Sequence, residues 1–162
     1  YLMALTNIKE KNPDYESALE NLLKITFPNN LISILIVNCQ FYLEKFNEII
    51  KFHEVNKEIS NLKFSNLPEG NNNYGNLNKN SNNVGDMSQQ IFDSAKLQNN
   101  EEYLLLVAMS YEKLNIINEA IRLYLKIIEI NSNNRVALNN FLSLCIKSGN
   151  QDYISQDIIL IC

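Results

Sequence analysis

The strongest constraint on the fold of this chain is an internal repeat with a period of 34 residues. From position 101 onward, apolar side chains recur at the i, i+3, i+4, i+7 spacing that marks one face of a helix. This first stripe comprises Leu104, Val107, Ala108 and Tyr111, and a second stripe comprises Ala120, Tyr124 and Ile127. The first stripe then begins again at Leu138, Phe141 and Cys145, with Leu104 and Leu138 34 residues apart. Because helix pairs of this length bury their apolar faces by stacking on one another, the sequence predicts an all-α fold.

The same organisation is looser upstream. The segment from Asp14 through Leu22 and Ile25, with a stop at 27–30, predicts the second helix of a pair. The first helix of that pair would precede it and carry Leu2, Leu5 and Ile8. A further first-helix stripe comprises Leu31, Ile34, Val37 and Phe41, and a second-helix stripe comprises Phe46, Ile49, Ile50 and Ile59. The sequence therefore predicts about four helix pairs.

An asparagine-rich segment separates the second and third pairs. The chain contains 28 asparagines, and eight of them lie within the thirteen positions 71–83. Such a stretch has few apolar groups to bury and favours turns over helices. We predict a flexible insertion over 63–100, with a short helix at about 86–97 where Met87, Ile91 and Ala95 recur at i+4 spacing. The insertion is either tolerated without a role or a regulated or aggregation-prone tether.

Composition limits the classes of partner. The net charge of −4 argues against nucleic acid or an anionic membrane bound by a basic surface. The longest apolar run, 31–37, is too short to span a bilayer. Three cysteines without a Cys-x-x-Cys pair predict buried free thiols, hence a reducing, intracellular location in the cytoplasm or nucleus. We also expect a piece of a longer polypeptide, since no methionine opens the chain and an apolar run closes it.

No constellation of residues indicates catalysis. The single histidine, His53, has no second imidazole nearby in sequence and is expected to be a half-exposed helix residue. Gly70 and Gly75 have the spacing of a phosphate-binding loop, but the lysine that such a loop requires is missing. The pair Glu101 and Glu102 stands at a helix start, where carboxylates favour the helix dipole. The prediction is therefore no enzyme, no catalytic residue, no cofactor and no metal.

The positions of the 34-residue unit resemble the tetratricopeptide repeat (TPR). Within 101–134, the matching residues are Leu104, Ala108, Tyr111, Ala120 and Tyr124, with Val107 and Ile127 as near-equivalents and Phe141 and Gly149 matching in the next unit. Ser132 departs from the family, which usually has proline there. The resemblance is specific over 101–150 and looser over 1–62. It implies a right-handed α-solenoid of antiparallel helix pairs: two divergent pairs in 1–62, the insertion, then one clear unit and one degenerate or incomplete unit in 101–162.

The function implied by the resemblance is protein–protein recognition. In TPR proteins the first helices line a concave groove that takes an extended peptide or a helix. The groove residues would be Glu102, Leu105, Met109, Glu112 and Lys113 in the third unit, and Val136, Asn139, Ser143, Ile146 and Lys147 in the fourth. Leu105 and Met109 either contact the neighbouring repeat or form an apolar patch for a partner.

Three functions are compatible with this pattern. The first is a non-catalytic scaffold subunit of a large intracellular assembly, of the cell-cycle ubiquitin ligase or transcription-factor type. The second is a chaperone-linked adaptor; Asn140 occupies the asparagine position of the family's carboxylate clamp, but Leu105 and Met109 stand where basic clamp residues would be needed. The third is a helical segment of an enzyme whose catalytic domain lies outside these residues.

Overall fold

The computed structural model describes residues 13–25, 29–61 and 93–149. Every regular element in these ranges is an α-helix, as the repeat predicts. The helices are α1 (Tyr15–Leu23), α2 (Asn30–Tyr42), α3 (Phe46–Asn61), α4 (Glu101–Lys113), α5 (Ile117–Ile130) and α6 (Arg135–Ser148). Residues 93–97 are also helical. The predicted helix around Leu2–Ile8, the insertion up to position 92 and the last unit's second helix lie outside the described residues.

Asparagine caps each of the three first helices that the structure describes, α2, α4 and α6. The side chains of Asn29, Asn100 and Asn134 accept hydrogen bonds from the backbone N–H three residues later, at 3.0, 2.8 and 3.0 Å. These bonds satisfy donors that a helix start otherwise leaves unpaired. Asn100 and Asn134 are 34 positions apart, and Asn29 precedes Asn100 by 71. Part of the asparagine excess therefore serves as helix caps at repeat-related positions.

The ends of the first helices repeat in the same register. Glu44 and Asn115 both adopt left-handed backbone conformations, with φ of 55° and 59°. The N–H of the following residue then bonds back across the turn, Lys45 to the carbonyl of Gln40 and Ile116 to that of Tyr111, both at 2.8 Å. This is the Schellman arrangement of a helix C-terminus. Gly149, 34 positions after Asn115, ends α6 with φ of 71°.

Consecutive helices pack against one another in chain order from α1 to α6, and α2 also contacts α4. The main core runs from α2 to α6, while a smaller cluster joins α1 to α2 around Leu22 and Cys39. Within 101–149, nine of the predicted repeat positions are buried, namely Leu104, Val107, Ala108, Tyr111, Ala120, Tyr124, Ile127, Phe141 and Cys145. Leu138 is half-buried and packs against the same core.

The contact between α3 and α4 joins the two sides of the insertion. The hydroxyl of Tyr111 donates to Glu54 Oε1 at 2.7 Å, and the ring of Tyr103 lies against His53. The segment 93–97 adds to this contact, because its end places Leu97 in the main core. The second and third units are therefore packed together, although 39 residues separate α3 from α4 in sequence.

Candidate functional site

The ten predicted groove residues occupy equivalent faces of α4 and α6. At 3.6 residues per turn, each set of five falls within an arc of roughly 100°. The sets are related by the 34-residue repeat, so that Glu102 corresponds to Val136 and Lys113 to Lys147. We call these ten residues the first-helix face.

The α6 part of the first-helix face is open to solvent. Its five residues, Val136, Asn139, Ser143, Ile146 and Lys147, are all exposed. The apolar side chains are the notable members, with Val136 54% and Ile146 65% accessible. These two side chains lie on the same face, about 15 Å apart along α6 at 1.5 Å per residue, and both are available to a partner.

The α4 part is more enclosed. Glu102 and Lys113 are exposed, but Leu105 and Met109 are half-buried and pack against the main core. Both side chains therefore contact the core and are less accessible to a partner than the exposed apolar side chains of α6.

Glu112 is held by its own unit and also reaches a cleft. Its carboxylate accepts a hydrogen bond from Tyr124 Oη at 2.9 Å, and the same hydroxyl lies 3.4 Å from Asn140 Nδ2, which donates to it. Burial, and then the charge of Glu112, raise the pKa of Tyr124. A cleft of about 280 Å³ opens beside Glu112 and has Lys147 on its wall. The structure thus brings together a predicted acidic and a predicted basic residue from different first helices.

The corresponding residues of α2 were not predicted to belong to this face. Leu31 and Tyr42 lie 71 positions before Glu102 and Lys113, and both are exposed. Tyr42 also stacks on Tyr15, with ring centroids 4.5 Å apart. Leu31 and Tyr42 could have been assigned from the 71-residue offset between α2 and α4. That offset separates Asn29 from Asn100 at the helix starts and Glu44 from Asn115 at the helix ends.

The interpretation of His53 as half-exposed is wrong. It is 1% accessible, and its Nδ1 lies 3.2 Å from Tyr103 Oη. Periodicity within α3 could not reveal this, because Tyr103 and Tyr111, which lie against His53, belong to α4. Burial lowers the pKa of His53 to about 4; Glu54 opposes this shift, while Lys57, Lys126 and Arg122 add to it.

The prediction of buried free thiols is confirmed for Cys39 and Cys145. Burial raises the pKa of Cys39 to about 11 and also raises that of Cys145. Both thiols are therefore protonated at neutral pH and are weak nucleophiles. Cys162 lies outside the described residues.

Within the described ranges, no group of three or more His, Cys, Asp or Glu side chains is placed to hold a metal ion. No helix there is long and apolar enough to cross a membrane. Comparison with protein-family models, with curated proteins and with solved structures finds no match to this chain.

Proposed function

We propose that this chain is a non-catalytic protein-interaction scaffold, built as a TPR-like right-handed solenoid and acting within an intracellular multiprotein complex. The observation that carries the proposal is the repeat in the backbone itself. The asparagine caps and left-handed helix ends recur at the 34-residue offset that relates α4 to α6. A chain that repeats a helix pair in this way presents a row of equivalent first-helix surfaces.

The packing of the helices supports a stacked arrangement. Each helix contacts the next one in the chain, and the first helices α2 and α4 also touch. In stacked repeats each unit contacts only its neighbours, so this sequential pattern is the expected one. The three-residue connection between α4 and α5 makes this unit an αα-hairpin.

The chemistry of the first-helix face favours a helix or an extended peptide as partner. Val136 and Ile146 supply exposed apolar contacts on α6, and Lys147 stands beside Ile146. The cleft between Glu112 and Lys147 offers one charge of each sign. An amphipathic partner with an apolar stripe and flanking charges would match this surface.

Site-specific photo-crosslinking in native lysate tests the proposal. A photoreactive amino acid replaces Ser143 on the first-helix face, and in a matched chain it replaces Glu129, which is exposed on α5. We expect the residue at Ser143 to crosslink a reproducible set of proteins and the residue at Glu129 to crosslink none of them. Equal capture from both positions would contradict the proposal.

A paired substitution gives a second test. Val136→Glu together with Ile146→Glu should reduce co-purification of the same proteins at least about tenfold, because charge replaces both exposed apolar contacts. The double variant should fold normally, since both side chains are exposed. Unchanged co-purification by a correctly folded double variant would exclude this face as the binding surface.

A further inference from the structure

A second cleft lies away from the first-helix face, between α3, α5 and the segment around 93–99. Its volume is about 420 Å³, within the range of small-molecule sites. Lys57 of α3 and the pair Arg122 and Lys126 of α5 line it, and His53 forms part of its wall. Among the described residues that line this basic cleft, none is acidic.

Each basic side chain of the cleft keeps hydrogen-bonding capacity. Arg122 donates twice to Glu119 Oε2, from Nε at 2.9 Å and from Nη2 at 2.6 Å. A guanidinium has five N–H donors, so three are left. Lys57 pairs with Glu54 at 3.2 Å, and neither Glu54 nor Glu119 belongs to the lining.

Lys126 is the cation least compensated by a carboxylate. No described carboxylate lies within 4.0 Å of its ammonium group, whereas Lys57 and Arg122 each have a partner. Burial lowers the pKa of Lys126 most, and the positive charges of Arg122 and Lys57 lower it further. The negative charge of Glu129 opposes these effects. The charges of the lining therefore act on one another as well as on the cleft.

A buried amide adds an unmet polar group to the same wall. Gln98 lines the cleft and is only 9% accessible, and its Nε2 has no hydrogen-bond partner. A buried donor without a partner is unfavourable, and because this nitrogen is closed off from solvent, a small rearrangement of the wall would have to expose it before a ligand could satisfy it. An anion beside Lys126 and Arg122 would supply acceptor oxygens at this wall.

We propose that the basic cleft binds a phosphate group, with Lys126 and Arg122 as its principal contacts and Lys57 completing the positive rim. Arginine and lysine together suit a dianionic oxyanion, because the guanidinium offers parallel donors and the ammonium a compact charge. The volume exceeds that of a single phosphate and leaves room for an attached organic group. The phosphate is either free or carried as a monoester. The proposal is independent of the scaffold function.

Calorimetric titration of the full chain tests the site. The probes are inorganic phosphate and O-phosphoserine, each measured against sodium chloride at the same ionic strength. We expect saturable binding of at least one phosphate probe and none of chloride. Tighter binding of O-phosphoserine would identify a phosphate monoester as the ligand class, and equal or tighter binding of inorganic phosphate would identify the free ion.

Charge-matched variants locate the binding. Lys126→Gln and Arg122→Gln should each raise the dissociation constant about tenfold or more, because each removes a charged hydrogen-bond donor from the cleft. Lys51→Gln removes the same charge from an exposed position of α3 outside the lining. This variant should change the dissociation constant by less than about twofold. Arg122 is itself exposed, so its replacement leaves the core intact.

Three results would overturn the proposal. One is the absence of saturable binding for both phosphate probes. Another is a signal that chloride reproduces at equal ionic strength. The third is equal weakening by Lys51→Gln and Lys126→Gln, which would show general attraction to the protein's cations instead of a site.

Discussion

The burial of His53 should make the folded state lose stability between pH 7 and 5, a range in which carboxylates remain ionised, because only the unfolded chain takes up a proton at this residue there. His53 is the only histidine of the chain, and it is buried in the α3–α4 contact. Burial disfavours its charged form and lowers the pKa from 6.5 to about 4. Below pH 6.5 the unfolded chain therefore binds a proton that the folded chain does not. The stabilisation is present above pH 6.5 and is lost as the pH falls towards 4.

The magnitude follows from the two pKa values. Between pH 7 and pH 5, the free energy of unfolding should fall by about 2 kcal/mol from this group alone. Glu54 should contribute little in that range. Burial raises its pKa, but hydrogen bonds from Tyr111 and Lys57 outweigh that effect and hold it below the usual 4.5.

Urea unfolding at pH 7, 6 and 5 measures this dependence, with His53→Gln as the control variant. Glutamine keeps a polar group near Tyr103 but does not titrate, so the variant should lose no more than about 0.5 kcal/mol over the same range. The quantity compared is the change in the free energy of unfolding between pH 7 and pH 5 in each protein. A lower stability of the variant at pH 7 therefore does not affect the result.

Proton NMR gives a direct check, because the two carbon-bound imidazole protons of the chain's single histidine report one titration. We expect no midpoint above pH 5 in the folded state. A midpoint near 6.5, or the same acid sensitivity in His53→Gln, would refute the argument from burial.

Three further predictions concern the repeat and its packing. Glu44→Gly should raise the free energy of unfolding by about 1 kcal/mol in urea, because glycine avoids the left-handed strain at φ of 55°. Ala120→Leu should lower it by about 1–3 kcal/mol through overpacking of a fully buried site, whereas Asn118→Leu, exposed on the same helix, should change it by less than about 0.5 kcal/mol. A double-mutant cycle of Tyr111→Phe and Glu54→Gln should give a coupling of about 1–2 kcal/mol across the insertion.

Each of these three has a result that would contradict it. Asn115→Gly should stabilise less than Glu44→Gly, since asparagine tolerates the left-handed region, and the reverse order would contradict the strain argument. A neutral Ala120→Leu would mean that the helix-pair register is wrong. A coupling near zero would mean that the bond from Tyr111 does not help to hold α3 to α4.

The apolar spacing and the local turn residues were sufficient to predict the helices. The observed connections at 114–116 and 131–134 fall between the apolar stripes that predict α4, α5 and α6. Helix periodicity, asparagine caps and the glycine at 149 are short-range properties, so they can be recognised within a few residues of sequence. The exposure of Val136 and Ile146 could also be predicted from the sequence, because it depends mainly on which side of α6 carries the apolar stripe.

The tertiary structure decided how the units meet. His53 is buried because residues 50 or more positions away cover it, and Lys57 shares a cleft with Lys126 for the same reason. Such contacts join side chains from different helices, and the periodicity of one helix contains no information about what its neighbour brings. The repeat pattern and most of the core were thus determined by local sequence. The burial of His53 and the convergence of positive charge depended on packing across the insertion.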